Sequence, residues 1–158
     1  MESKTLEQAI DDIMEAIETT LKNAINVDGG KLHDVKSLIM GGKTSQSPKT
    51  PGLWVGQGEA RLVPEDSYLK TECWAMEIAV VSVIYNTDQY QGEKDANSLA
   101  ARAKSVLIAD RTLGFDHGTF FSDIRSSRFI GSNPEFITKS GNLFSAIYPC
   151  EVYFTVIE

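Results

Sequence analysis

Met40-Gly41-Gly42-Lys43-Thr44 ends like a phosphate-binding loop. Such a loop needs G-x-x-x-x-G-K-[ST], with a first glycine that lets the backbone wrap the phosphates. Ser37 stands at that position, and the following SQSPKTPG cannot start the helix whose N-terminus would hold the anion. A basic interaction loop is the better reading. Gly56-Gln57-Gly58 opens like a dinucleotide fingerprint, but Arg61 replaces the third glycine and no helix follows, so a tight turn is expected. The two histidines, His33 and His117, have neither C-x-x-C nor H-x-x-x-H spacing around them, so no metal site is expected. Asp116-His117 reads as a turn after Gly114, because adjacent residues rarely orient one another as triad members do. Glu77 is a charge on an otherwise apolar strand, expected either to pair with an arginine or to face a subunit boundary. Cys73 and Cys150 lie far apart on apolar stretches and read as reduced, buried thiols of a cytoplasmic chain. Nothing in these patterns argues for catalysis or for a cofactor.

Charge offers a different chemistry. The 158 residues carry a net charge of −7, which disfavours nucleic-acid binding over most of the surface. Residues 1–30 have a net charge of −5, residues 31–52 +3 and residues 53–95 −5, while the remainder balances. An acidic start is thus followed at once by a basic strip. Glu7, Asp11 and Glu15 are like charges at i,i+4, each pair costing roughly 0.2–0.5 kcal/mol, and only Glu18–Lys22 offsets some of it. Such a face is either simply solvated or meets a basic surface. If the acidic face and the basic strip lie on opposite sides of the domain, copies can join head to tail into rings or filaments. The candidate interface residues are therefore Glu7, Asp11, Glu15 and Glu18 on one side and Lys36, Lys43 and Lys49 on the other.

The elements that position these charges follow from periodicity. Leu6, Ile10, Ile13, Ile17, Leu21 and Ala24 recur at helical spacing, Thr5 with Gln8 forms a capping box, and Asp28-Gly29-Gly30 ends the helix. Residues 31–40 favour a strand slightly. Residues 41–52, GGKTSQSPKTPG, form a loop long enough to be functional or disordered. Leu53–Val55 and Ala60–Val63 predict short strands, with a hairpin at residues 56–58. Residues 73–85 predict a central strand, apolar on both faces. Its small Ala75 and Ala79 invite a helix onto their side. Asn86 to Lys94 reads as a polar turn, and Asp95 caps a second helix, roughly 96–113, with Ala96, Leu99, Ala103, Val106 and Leu107 inward. Residues 119–130 predict a half-exposed strand, which could follow a right-handed crossover if it neighbours residues 73–85 in parallel. The last strand, 143–157, keeps Phe144, Ala146, Tyr148, Cys150, Val152, Phe154 and Val156 on one face. Pro149 calls for a bulge or an edge position there. The fold class is α+β, one domain over residues 1–158. Its mainly antiparallel sheet has roughly four to six strands, with the N-terminal helix and a second helix packed on it. The longest apolar run, Ile78 to Val81, is far too short to span a membrane, and the first residues lack a signal peptide's basic flank and apolar core.

This layout resembles one known family. A leading amphipathic helix precedes a basic loop that ends in Pro51-Gly52-Leu53-Trp54-Val55. A long apolar strand runs into Tyr85-Asn86, and the next helix closes on Ala109-Asp110-Arg111-Thr112-Leu113-Gly114. The chain finishes on the aromatic strand Glu151-Val152-Tyr153-Phe154-Thr155-Val156. The pattern is similar to the tail terminator (tail completion) proteins of long-tailed bacteriophages and covers nearly the whole chain. The resemblance implies a homo-oligomeric ring, usually a hexamer, in the virion at the head–tail junction, assembled in the host cytoplasm. Its partners would be the tail tube protein and the head-completion or connector protein. DNA would pass through the bore without specific binding, which an acidic chain allows. The resemblance carries over no individual site residue; loop 41–52 and the turn near 56–58 would reach neighbours. Two other readings remain: a head-completion or neck connector protein of similar size, and a bacterial cytoplasmic binding domain.

Overall fold

The computed structural model describes residues 5–41, 49–64, 71–109, 122–125 and 142–157. Helix α1 runs Leu6–Ile25. Its capping box is complete: the Gln8 N–H donates to Thr5 Oγ1 at 3.2 Å and the Thr5 N–H donates to Gln8 Oε1 at 3.0 Å. Ala9, Ile13, Ile17 and Leu21 form its buried stripe. The helix stops at Asn26, whose N–H donates to the Lys22 carbonyl, and Gly29 then turns the chain at φ +72°.

Five strands make one mixed sheet: β1 (Ser37–Met40), β2 (Gly52–Leu62), β3 (Thr71–Tyr85), β4 (Ser122–Arg125) and β5 (Leu143–Ile157). Their order is β1-β2-β3-β5-β4. β1 and β2 are parallel, and the other three pairings are antiparallel. With helix α2 (Gln89–Ala109), this is the expected α+β architecture. β3 and β4 run parallel but are not neighbours, because β5 lies between them. The crossover between adjacent strands considered from the sequence is therefore absent there.

The hairpin expected at residues 56–58 is not formed. β2 runs straight through it, with a register shift between Gln57 and Ala60. The glycines serve close packing, not a turn. A Cβ on Gly56 would meet the Trp54 ring at 3.0 Å, and one on Gly58 would meet the Glu77 Cβ at 3.0 Å. Helix α2 starts earlier than expected, in the stretch read as a polar turn. Asp88, not Asp95, caps it: Asp88 Oδ1 accepts from the Gln91 N–H at 3.2 Å. Asp95 instead sits inside the helix, accepting from the side chains of Gln91 and Asn86. Pro149 causes no bulge and stays in register with Ala79.

Both helices lie on the face of β3 that carries Met76, Ile78, Val80, Ser82 and Ile84, not on the small-residue face expected from Ala75 and Ala79. Two contacts hold α2 there. The buried Ser82 hydroxyl donates to the Ala96 carbonyl at 2.7 Å and accepts from the Ala146 N–H at 3.3 Å. Gly92 lets the helix press onto the Phe144 ring, where an added Cβ would overlap ring carbons. All seven apolar residues expected on the inner face of β5 are buried here. The 31–36 turn is tied to α2 by Arg102, which donates to the Lys31 carbonyl and Asp34 Oδ1, each at 2.8 Å. That bond holds the Asp34 carboxyl below its usual range, against the opposing effect of burial. Among the described residues, no helix is long and apolar enough to cross a membrane.

Candidate functional site

The helices cover one face of the sheet and leave the other without a described helix or strand. Strand alternation decides what that second face carries. β2 contributes Trp54, Gly56 and Arg61; β3 contributes Ala75, Glu77, Ala79, Val81, Val83 and Tyr85; β5 contributes Leu143, Ile147, Pro149, Glu151 and Tyr153. Trp54, Val83, Leu143, Ile147 and Pro149 are only half-buried, and Tyr85 is 58% exposed. Partly exposed apolar side chains thus recur along this pleated face.

A depression of about 240 Å³ lies in this face, lined by Trp54, Gly56, Gly58, Glu77, Pro149 and Glu151 among others. Glu77 and Glu151 stand directly opposite each other on β3 and β5. The expectation of a buried charge at Glu77 is corrected: Glu77 is exposed, and Glu151 is the buried acid, only 5% accessible. Glu151 has an arginine partner: its Oε2 lies 3.6 Å from an Arg61 nitrogen. Arg61 also donates to the Tyr153 hydroxyl at 3.4 Å. A hydrogen bond to Glu151 raises the Tyr153 phenol above its usual range, and burial adds to it. The sequence signal for Glu151 was its position in β5, alternating with the apolar face. Its register with Glu77 needed the fold.

This cluster has no imidazole, and the neighbouring thiol points away. Cys150 lies in the core under the helices, and burial, then the Glu151 charge, pushes it up to about 12. At neutral pH it is a thiol and a poor nucleophile. Cys73 packs on the opposite face with Val63 and Ala75, and both cysteines are buried thiols outside any disulfide, as expected. His33 Nδ1 contacts the Gly30 carbonyl at 2.7 Å in the turn after α1; His117 lies outside the described residues. Among the described residues, no group of three His, Cys, Asp or Glu side chains could hold a metal ion.

The charged candidates fall into two places. Glu7, Asp11 and Glu15 are exposed along α1, and Glu18 is half-exposed, 3.5 Å from Lys22. Glu15 and Glu18 rim a groove of about 220 Å³ with Met14, Met40, Gly41 and Gln57. That groove lies at the C-terminal end of β1. Lys36 and Lys49 lie at its N-terminal end, both exposed. Their backbones are pinned together: the Lys36 N–H donates to the Pro51 carbonyl, and Ser37 Oγ donates to the Lys49 carbonyl, each at 2.7 Å. Lys43 lies outside the described residues, as do most of loop 41–52, the 110–114 helix exit and residues 131–141. No protein-family model matches the chain, and no curated protein matches it.

Proposed function

We propose that this chain is a structural protein of a phage particle, a tail terminator that closes the tail tube as a ring. It ends tube elongation and then presents a docking face to the head connector, while DNA passes through the bore. The observation that carries this reading is the sheet face that no described helix covers. Its half-exposed Trp54, Val83, Leu143, Ile147 and Pro149 form a broad surface suited to packing against other subunits. The acidic net charge fits a bore that must not trap a passing polyanion. The polar groups on that face tie to one another, Glu151 to Arg61 and Arg61 to Tyr153, which suits a rigid docking surface.

Gel filtration with light scattering, followed by negative-stain imaging, tests the assembly. The reading predicts a closed ring, hexameric by the family resemblance, alone or on tube ends. A strict monomer that also leaves tube ends bare would instead favour a small binding domain built around the depression beside Trp54.

A further inference from the structure

We propose that copies of this chain join head to tail, with the Lys36/Lys49 pair of one copy seated in the Glu15/Glu18 groove of the next. This rests on the ring reading above and names the contact that builds the ring.

The groove and the lysines are complementary in charge and shape. Glu7, Asp11 and Glu15 repeat at i,i+4 along the exposed side of α1, so they repel one another. On this row's flank Glu18 pairs with Lys22, 3.5 Å away. A basic surface brought against the row relieves that repulsion. The groove beside it has an apolar floor of Met14 and Met40 and an acidic rim of Glu15 and Glu18. Lysine fits this arrangement, since its methylene stem packs on thioethers while its ammonium reaches the rim.

The complementary piece is prebuilt. Lys36 and Lys49 make no ion pair with a described residue. The Lys36–Pro51 and Ser37–Lys49 hydrogen bonds fix their backbones side by side at the start of β1 and β2. Little ordering remains to be done on binding. The groove lies at the other end of β1. Four strand residues put roughly 13 Å between the two ends, so the lysines of one copy do not fill its own groove. A patch and its complement at opposite ends of one subunit make a heterologous contact, which closes a ring or propagates a filament.

Two variants test this in the full chain. In one, Lys36→Glu and Lys49→Glu reverse the lysine pair; in the other, Glu15→Lys and Glu18→Lys reverse the groove. Each alone puts like charges together and is expected to weaken self-association by about tenfold to a hundredfold at 0.1 M salt. Mixed in equal amounts, the two variants are expected to assemble again as alternating copies. That rescue also shows both to be folded. Variants that each assemble like the unaltered chain, or that fail to co-assemble, overturn the contact. If both variants still form rings and stop tube growth, the contact is wrong and the terminator reading stands. If mixing restores rings that never arrest tubes, the contact stands and the terminator reading fails.

Discussion

Gly92 sits inside α2, where glycine costs about 1 kcal/mol relative to alanine. The Phe144 ring explains it, since an added Cβ would overlap ring carbons. Gly92→Ala is therefore expected to destabilise the fold by about 1–3 kcal/mol despite better helix propensity, as measured by urea unfolding. Combining it with Phe144→Leu should recover part of that loss. A second residue-scale prediction concerns Asp34. Arg102 holds its carboxyl below the model-peptide value of 3.8, so its folded value is the lower one. Its stabilisation is fully present above the unfolded value and is lost as pH falls through the folded one. Both side chains are about a third exposed, so the pair contributes at most about 1 kcal/mol. The stability difference between the unaltered chain and Asp34→Asn should stay flat from neutral pH to about pH 5 and shrink below about pH 4. Neither pair was legible in the sequence. Gly92 and Phe144 are far apart along the chain, as are Asp34 and Arg102, and no local pattern joins them.

At the scale of elements, α1 trades its own stability for a charged face. Asp11→Lys turns two repulsive i,i+4 pairs into attractive ones, with Glu7 and with Glu15. The isolated chain should gain about 0.5–1 kcal/mol in thermal or urea unfolding while its self-association weakens. An unchanged association would show that this part of the row takes no part in the contact. α1, β3 and β5 were readable because their periodicity is long and their ends are marked by a capping box or a change to polar residues. β2 was not, because Gly56 and Gly58 look like turn residues. Their need is steric: they make room for the Trp54 ring and the Glu77 side chain above the strand. The start of α2 was hidden by two polar turns, in which Gln89, Tyr90 and Gln91 are all exposed. The side on which α2 packs was misjudged for a related reason. Small residues on β3 suggested room for a helix, but the deciding contacts are the Ser82 hydroxyl and Gly92.

At the scale of the molecule, one sheet separates two different surfaces. The helix side is a closed core shared by α1, α2, β2, β3 and β5. The other side is apolar in patches, with the Glu151–Arg61–Tyr153 cluster toward one end. Complementary charges sit at opposite ends of β1, along the edge of the sheet. The charge asymmetry was visible in the sequence as a basic strip after an acidic start. Its placement was not, because it depends on α1 lying beside the C-terminal end of β1 and on β1 pairing in parallel with β2. On the reading proposed above, this arrangement belongs to a building block that docks, and such a block should stop growth where it docks. The most direct measurement is the length distribution of tail tubes grown from purified tube protein with and without this chain, imaged by electron microscopy. The account predicts tubes shorter than those grown without this chain, each carrying a ring at one end. Tubes that elongate without limit and carry no added density at either end would contradict it.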